Sequence, residues 1–310
     1  MIPYEKLTFD VGQSVRSSNG IYYECIQRLG VGGNAATFLV AANQGPQKGV
    51  LFALKVFRKL SAPERQDAFI REVAFLIGCQ HQAVMRVFDV GMYEWEVAGV
   101  LRQYPFVIAE YLPRTLAQAI ASRDLTIPEK LTYAIQLLSA VSYLAAMSPP
   151  TVHRDIKPQN IFLKGHSCVL GDFGLLKRLD GSSDADREVL KESAGVGMPF
   201  YYRTPDLVAY ANGTAPLTSK TDVFQLGLVL AHLFSGWNPA EASEDMLAPV
   251  KLTALASIPS DFGVRIRSLI SRMLVLDPAA REDAATLMDH WRGVFRDAVL
   301  LAHRLDGRAF

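Results

Sequence analysis

The segment Val152–Ile161 contains the side chains whose chemistry is easiest to interpret from the sequence. Asp155, Lys157 and Asn160 lie within it, and Asp172 follows the next apolar run. A carboxylate and an amide oxygen of this kind suit Mg²⁺, a hard cation that prefers oxygen ligands, and a second carboxylate can orient a hydroxyl nucleophile. Any one of the four residues could be an ordinary turn or cap residue, but four at this spacing between apolar strands indicate a site.

A glycine-rich segment, Leu29–Ala35, lies between two predicted strands. Glycine has no Cβ, so the backbone N–H groups of such a segment can approach a phosphate closely. An ordinary hairpin turn has the same composition. This segment alone therefore leaves both interpretations open.

Lys55 lies inside the apolar run Phe52–Val56. An ammonium in such a strand is costly unless it meets an anion or reaches solvent along its apolar stem. Glu72, on the helix predicted to follow, could hold the ammonium toward a phosphate. A solvated helix residue would look the same in the sequence.

The overall composition excludes several classes of protein. The chain has 310 residues, of which 50% are hydrophobic, so it can form one large domain or two lobes with a sizeable core. Its 32 basic and 31 acidic residues leave a net charge of +1, which argues against a nucleic-acid partner. Its three cysteines, Cys25, Cys79 and Cys168, lie far apart. They predict neither a disulfide framework nor a zinc site and favour a reducing, cytoplasmic compartment.

We expect no membrane segment in this chain. The two longest uncharged stretches, Leu131–Val152 and Val223–Ala240, are interrupted by polar residues. The first has the spacing of a buried amphipathic helix, and the apolar part of the second is too short to cross a bilayer. No apolar secretory segment follows Met1–Asp10.

The hydrophobic pattern changes near Tyr111. Before it the pattern predicts strands over residues 21–29, 38–42, 51–57, 85–93 and 106–111, with one helix over 63–77. After it the pattern predicts helices over 116–121, 128–147, 223–234, 265–274 and 284–301. We therefore expect an α+β fold in two lobes, with a lead-in (1–20), a small β-rich lobe with one helix (21–109), a hinge (110–115) and a larger, mainly helical lobe with a C-terminal helix (116–310).

The ordered set of motifs resembles that of eukaryotic-type serine/threonine protein kinases over about Tyr23–Arg292. The residues that match are Gly30, Gly32, Ala35, Lys55, Glu72, His153, Arg154, Asp155, Asn160, Asp172, Phe173, Gly174, Asp206, Asp222 and Arg281. Lys157, two residues after the catalytic-loop aspartate, resembles serine/threonine rather than tyrosine kinases. The glycine-rich loop and the compact length look like those of bacterial members.

The resemblance implies a bilobal protein-kinase-like fold that transfers the γ-phosphate of ATP to Ser and Thr hydroxyls of protein substrates. It also implies autophosphorylation of the activation segment. In such an enzyme Asp155 would accept or orient the substrate proton, and Lys157 would neutralise the γ-phosphate. Asn160 and Asp172 would hold Mg²⁺ or Mn²⁺ ions that bridge the phosphates.

The resemblance also assigns a nucleotide site. Its residues would be Gly30, Val31, Gly32, Gly33, Asn34, Ala35, Thr37, Ala53, Lys55, Ala109, Glu110, Leu112 and Phe162. Lys55, positioned by Glu72, would hold the α and β phosphates. Adenine would lie between Ala53 and Phe162, with Thr37 above it. The edge of adenine would bond to backbone groups of Glu110 and Leu112.

Structural or regulatory roles would fall to His153, Arg154, Phe173, Asp206, Asp222, Arg281 and Ser193. Asp222 would support the catalytic loop, and Asp206, which stands where the family has Glu, would pair with Arg281. Arg154 resembles the residue of kinases whose activation segment is ordered by a phosphate. We predict Ser193 as the phosphorylated residue, with a solvated loop as the alternative.

Two departures from the family pattern bear on function. Ala109, just before Glu110, is small and would leave a pocket behind adenine unless a neighbouring side chain fills it. Met198 or Pro199 stands where the family has the Thr that contacts the catalytic aspartate, and Thr204 could take its place.

Two other functions compete with an active protein kinase. One is a pseudokinase, a nucleotide-binding scaffold, but such scaffolds typically lack one or more of the catalytic residues that are all present here. The other is a small-molecule phosphotransferase of kinase-like fold. Lys157-Pro158 and the Pro205-Asp206 pair argue against it.

Overall fold

The computed structural model describes residues 8–31, 35–57, 73, 76–97, 99–173, 177–179, 187, 201–243, 245 and 247–306. The chain divides into two compact units. The first consists of Met1–Gln80 and Met85–Leu112, and the second of His81–Val84 and Pro113–Phe310.

The first unit contains a six-stranded antiparallel sheet. Its strands are β1 (Ser14–Arg16), β2 (Tyr22–Val31), β3 (Ala35–Ala42), β4 (Leu51–Phe57), β5 (Val87–Val97) and β6 (Val100–Glu110). Their order in the sheet is β1-β2-β3-β4-β6-β5. Of the helix predicted over 63–77, the described residues Val73, Leu76 and Ile77 are helical.

The described part of the N-terminal lead-in packs against this sheet. β1 pairs with β2, and the Phe9 ring lies edge-on to Phe38 at 5.4 Å and to Tyr93 at 5.5 Å between ring centroids. The Tyr93 hydroxyl donates to the main-chain oxygen of Thr8 at 2.8 Å. From residue 8 onward, therefore, the lead-in contributes to the core of the first unit.

The second unit is mainly helical. Its helices are α1 (Leu116–Ser122), α2 (Ile127–Ala145), α3 (Pro205–Ala211), α4 (Lys220–Ser235), α5 (Gly263–Met273) and α6 (Ala284–Asp306). Its short strands are β7 (Thr151–Val152), β8 (Ile161–Lys164), β9 (Ser167–Leu170) and β10 (Lys177–Arg178), which pair as β7 with β10 and β8 with β9.

Local sequence explains where α1 and α2 begin. Thr115 and Gln118 form a capping box at α1, and Thr126 and Glu129 form another at α2, so that each side chain bonds the other residue's main-chain N–H. α4 is apolar on nearly all sides and buried along almost its whole length, as expected for the central helix of a core. Within the described residues, none of the helices is long and apolar enough to cross a membrane.

Candidate active site

One face of the first unit's sheet collects several of the predicted nucleotide-binding residues. In β4, Phe52, Leu54 and Val56 are buried in the core, whereas Ala53 and Lys55 alternate with them and are only half-buried. The strand register places Thr37 opposite Lys55 and Ala109 opposite Ala53. Opposed residues of paired strands share a face. The structure therefore places these four residues together on the face that does not carry the core.

The described parts of the glycine-rich loop are its two ends. Gly30 and Val31 end β2, Ala35 begins β3, and Gly30 lies opposite Thr37. Gly32, Gly33 and Asn34 lie outside the described residues, as does Glu72. The Lys55 ammonium lies 5.1 Å from the centroid of the Phe57 ring, a cation–π contact.

The end of β6 determines which backbone groups adenine could use. The main-chain N–H of Glu110 donates to the main-chain oxygen of Arg86 at 3.1 Å, and the Glu110 side chain accepts the Arg86 N–H at 3.2 Å. An adenine contact at Glu110 would therefore have to use its carbonyl. Leu112 is the last residue of the first unit, and Phe162, which belongs to the second unit, is half-buried in β8.

The catalytic loop of the second unit brings Asp155, Lys157 and Asn160 together. The Lys157 ammonium lies 2.9 Å from Oδ2 of Asp155. Nδ2 of Asn160 donates to the same oxygen at 2.8 Å and to the main-chain oxygen of Asp155 at 2.9 Å. Asn160 reaches this position because a single 3₁₀ turn, Pro158–Asn160, returns the chain toward β8. The structure thus brings three of the four predicted residues, Asp155, Lys157 and Asn160, into contact.

The surroundings of Asp155 favour a base that works near neutral pH. Burial raises the pKa of Asp155 to about 6. The Lys157 ammonium opposes this increase, and the nearby negative charge of Asp172 adds to it. A carboxyl group with its pKa near the working pH can exchange a proton with a substrate more effectively than an ordinary aspartate.

His153 connects the catalytic loop to the Asp172-Phe173 segment. Its Nδ1 accepts the main-chain N–H of Asp155 at 3.3 Å, and its Nε2 lies 2.9 Å from the main-chain oxygen of Gly171. A carbonyl only accepts, so Nε2 carries a proton. Nδ1 accepts a hydrogen bond and so carries none, and the ring is therefore neutral. The ring also lies 5.0 Å from that of Phe173. His153 therefore acts as a structural link between the two motifs.

Asp222, at the start of α4, holds the backbone of the catalytic loop. Its carboxylate accepts the main-chain N–H groups of His153 at 2.7 Å and Arg154 at 3.0 Å. Burial raises the pKa of Asp222 to about 6, although these two hydrogen bonds favour the carboxylate. Arg154 needs such support because its φ of 68° lies in the left-handed region, which costs a non-glycine residue about 1–3 kcal/mol.

Gln225 is a second residue of α4 that bonds to the catalytic loop, and it was not predicted from the sequence. Its Oε1 accepts the main-chain N–H of Ile156 at 2.9 Å, and its Nε2 donates to the main-chain oxygens of Arg154 at 2.9 Å and Tyr202 at 3.1 Å. In the sequence, Gln225 is noticeable only as a polar residue in an apolar stretch. Its spacing of three residues from Asp222 places both side chains on one face of the helix, which is the signal that could have identified it.

The predicted pair of Asp206 and Arg281 forms a buried ion pair. Nη1 of Arg281 donates to Oδ2 of Asp206 at 2.8 Å, and both side chains are almost fully buried. Arg281 also donates to the main-chain oxygens of Val275 and Lys220 at 2.8 and 2.7 Å. The aspartate, although one methylene shorter than the family's glutamate, therefore reaches its partner.

Asn160 and Asp172 provide oxygen donors suited to a hard cation. Because Nδ2 of Asn160 faces Asp155, its amide oxygen is the end left to face a metal. Asp172 has a φ of 58°, a left-handed conformation that aspartate tolerates better than most residues. Among the described residues no group of three or more His, Cys, Asp and Glu could hold a metal ion. An amide and one carboxylate fit Mg²⁺, which usually takes few protein ligands and completes its shell with phosphate and water oxygens.

Most of the predicted activation segment lies outside the described residues. Ser193, Met198 and Pro199 lie outside them. Thr204, the alternative contact for the catalytic aspartate, is the N-cap of α3, and its hydroxyl accepts the Leu207 N–H at 3.0 Å. Arg154, the predicted phosphate partner, is buried.

Comparison with known proteins gives a consistent family. The family model described as protein kinase domain matches residues 23–291. Serine/threonine-protein kinase 10 of Danio rerio is 25% identical over 270 residues, which cover 84% of this chain and 26% of that protein. Probable serine/threonine-protein kinase nek3 of Dictyostelium discoideum is 29% identical over 286 residues, or 86% of this chain and 23% of that protein. Maternal embryonic leucine zipper kinase of Xenopus tropicalis is 27% identical over 273 residues, or 87% of this chain and 38% of that protein.

This chain thus spans only about a quarter to two-fifths of the length of these three relatives. The match nevertheless covers most of the chain itself, including both units and the whole catalytic loop. The expected α+β fold class, with a β-rich part followed by a mainly helical part, is confirmed. The chain therefore belongs to the protein kinase domain family and is similar to eukaryotic serine/threonine protein kinases.

Proposed function

We propose that this chain is an active serine/threonine protein kinase that transfers the γ-phosphate of ATP to Ser and Thr hydroxyls of proteins. The observation that carries the proposal is the contact of Asp155 with both Lys157 and Asn160 in a loop held by Asp222. A scaffold that only binds nucleotide has no need of this arrangement.

Asp155 is the group that orients the substrate hydroxyl. As the hydroxyl oxygen forms a bond to the γ-phosphorus, the bond from that phosphorus to the β,γ-bridging oxygen breaks and ADP leaves. The hydroxyl proton passes to the Asp155 carboxylate, whose raised pKa of about 6 suits it to accept and then release a proton. The loop must be rigid for this step because phosphoryl transfer depends on positioning.

Lys157 supplies positive charge beside the base. Its ammonium is 2.9 Å from Asp155, and both side chains are mostly buried. Excluding water strengthens the interaction of the ammonium with the charge that develops on the transferred phosphoryl group. The same ammonium favours the ionised form of Asp155, since it opposes the effect of burial on the pKa.

Asn160 and Asp172 would hold Mg²⁺ or Mn²⁺ through the Asn160 amide oxygen and the Asp172 carboxylate. When bound, the metal would neutralise negative charge on the phosphates. On the first unit, the sheet face that carries Thr37, Ala53 and Ala109 would contact adenine, and Lys55 would bind the α and β phosphates. Phe162, Leu112 and the Glu110 carbonyl are further proposed adenine contacts.

The substrate class and the setting are also proposals. Two of these relatives are named serine/threonine-protein kinases, and Lys157 lies two residues after Asp155 as in that class. We propose that the chain phosphorylates its own activation segment at Ser193, with Arg154 as the partner of the new phosphate. Such an enzyme would act in signalling, in the cytoplasm.

The test is transfer of labelled γ-phosphate from Mg·ATP to a set of Ser- and Thr-containing peptides by the purified protein. Lys55→Met and Asp172→Ala should each reduce transfer by at least about a hundredfold, because each removes charge that stabilises the reacting phosphates. The controls are Lys48→Met and Asp261→Ala, which make the same changes at exposed positions. Wild-type rates in both site variants would disprove the assignment of the site.

A further inference from the structure

The side-chain amide of Gln225 bonds to two separate segments of the second unit. It is almost fully buried, and all its polar atoms have partners. The amide oxygen faces an N–H group, and the amide nitrogen faces two carbonyls. The amide has one acceptor end and one donor end, so only one orientation satisfies all three bonds.

The first segment is the catalytic loop, which Gln225 and Asp222 hold from the same helix face. Asp222 accepts the N–H of Arg154, and Gln225 donates to the carbonyl of the same residue. Arg154 has a left-handed φ of 68°, so both of its peptide groups are bonded to α4 while its backbone is strained. Gln225 also accepts the N–H of Ile156. It therefore holds the main chain of both neighbours of Asp155, Arg154 and Ile156.

The second segment leads into α3 at Tyr202, two residues before the N-cap Thr204. Gln225 donates to the main-chain oxygen of Tyr202. The Tyr202 hydroxyl lies 3.2 Å from Nδ1 of His232, which is about two turns beyond Gln225 on α4. Tyr202 is thus held at its backbone and at its side chain by the same helix. Asp222 has no hydrogen bond with this segment among the described residues.

We propose that Gln225 is a positioning residue that couples the segment around Tyr202 to the orientation of Asp155. The inference rests on the proposed kinase function. A displacement of Tyr202 withdraws one of the two acceptors of the Gln225 amide nitrogen. The Gln225 amide, which bonds to the carbonyl of Arg154 and the N–H of Ile156, is then less firmly fixed. Order in the segment around Tyr202 and order in the catalytic loop are therefore coupled through Gln225.

The decisive variants are Gln225→Met, which keeps most of the volume without hydrogen bonds, and Gln225→Glu, which keeps the shape. The control is Leu230→Ala, which opens a cavity at a fully buried position on a different face of the same helix from Gln225. We expect Gln225→Met to lower kcat about thirtyfold or more, because three buried polar groups lose their partner, with KM for ATP within about twofold of wild type. Leu230→Ala should lower the melting temperature at least as much and leave kcat within about threefold.

The pH dependence separates positioning from simple loss of stability. At pH 8 the carboxylate introduced by Gln225→Glu faces two carbonyl oxygens, which repel it, and below its pKa the protonated acid can donate to one of them. We expect the kcat of Gln225→Glu, divided by that of wild type, to rise from pH 8 to pH 6. The same ratio for Gln225→Met should stay constant, and a constant ratio for both variants would contradict the proposal.

Hydrogen–deuterium exchange tests the coupling without requiring activity. In Gln225→Met, peptides that contain Arg154–Ile156 and Tyr202 should both exchange faster than in wild type, and neither should in Leu230→Ala. Faster exchange at only one segment, or a wild-type kcat in Gln225→Met, would overturn the proposal. Absence of phosphate transfer by the wild-type protein would instead refute the proposed function, and the exchange result would still decide the coupling.

Discussion

The side-chain amide of Asn160 donates to the carboxylate of Asp155 at 2.8 Å and to the main-chain oxygen of the same residue at 2.9 Å. Both bonds use the amide nitrogen, which fixes the direction of the amide oxygen. The residue proposed to bind the metal therefore also orients the residue proposed to receive the proton. A substitution at Asn160 should therefore affect both the proposed metal site and the position of Asp155.

Asn160→Asp should impair catalysis through Asp155 as well as through the metal. The change removes the two donors to Asp155 and places a second carboxylate beside it, and like charges raise each other's pKa. We expect kcat to fall by about a hundredfold or more and the pH at which activity appears to move upward. Initial rates from pH 6 to 9 measure both effects.

The matched control for this variant is Asn212→Asp, which makes the same change at the exposed C-cap of α3. It should retain the wild-type rate and pH profile. If Asn160→Asp behaved in the same way, the link between Asn160 and Asp155 would have no catalytic role.

Removal of Arg281 should destabilise the second unit strongly. Arg281→Met leaves the buried Asp206 carboxylate without its ion-pair partner, a type of change that costs about 3–5 kcal/mol. Urea unfolding measures the loss. The double variant Asp206→Leu with Arg281→Met should recover most of it, because no buried charge remains.

The control for the ion pair is Arg292→Met, which breaks the exposed pair with Asp289 on α6. Exposed pairs contribute about 0–1 kcal/mol, so this variant should unfold close to the wild-type urea concentration. Equal destabilisation by Arg281→Met and Arg292→Met would show that the buried ion pair contributes no more to stability than the exposed one.

Alkaline pH should destabilise the first unit. Burial, with a smaller effect of Asp89, raises the pKa of Tyr23 to about 12, and burial also raises that of Tyr93 to about 12. An unfolded tyrosine ionises near pH 10, so the folded state binds its proton more tightly. This contribution to stability is complete below pH 10 and is lost as the pH rises toward 12.

Melting temperatures measured from pH 8 to pH 11.5 test this expectation. Tyr93→Phe should weaken the fall above pH 10, although it also removes the hydrogen bond to Thr8 and lowers stability at every pH. Tyr22→Phe, at an exposed position, should leave the pH dependence as in wild type. A fall that is unchanged in Tyr93→Phe would contradict the assignment to this residue.

The small side chain of Ala109 predicts tolerance of enlarged nucleotides. Ala109 lies opposite Ala53 on β4 and Val87 on β5, so strands surround it on both sides. We expect ATP analogues with bulky N6 substituents to serve as phosphate donors, and Ala109→Phe to abolish their use while ATP remains a donor. Equal rejection of N6-bulky and C2-bulky analogues by wild type would show that a neighbouring side chain fills the space.

Local pattern was sufficient to predict the catalytic cluster and most elements. Asp155, Lys157 and Asn160 are close in sequence, so a short turn brings them together without help from distant segments. Strands β2 to β5 and helices α1, α2, α4, α5 and α6 follow periodic apolar runs, which is why their predicted bounds lie close to the observed ones, whereas β6 begins at Val100, six residues before its predicted start. The Asp206–Arg281 pair was expected only because the resemblance implied it.

The features that sequence reasoning missed depend on contacts between distant residues. The hydrogen-bond partners of the Gln225 amide are main-chain groups far away in the chain. Nearly every residue has such groups, so the sequence does not reveal which of them a side chain will bond. β1 has only three residues and is held by its pairing with β2. The left-handed φ of Arg154 is likewise imposed by partners on α4, since arginine has no preference for it.

We propose that this chain transfers phosphate to Ser and Thr hydroxyls with Asp155 and Asp172 in the site. The most direct measurement is intact-mass and peptide mass spectrometry of the purified protein before and after incubation with Mg·ATP, beside Asp172→Ala. We predict new phosphates on Ser or Thr of the wild-type chain or of an added protein substrate, and none with the variant. ATP binding detected as a thermal shift, with no phosphate on either protein, or equal phosphate with Asp172→Ala, would contradict the claim.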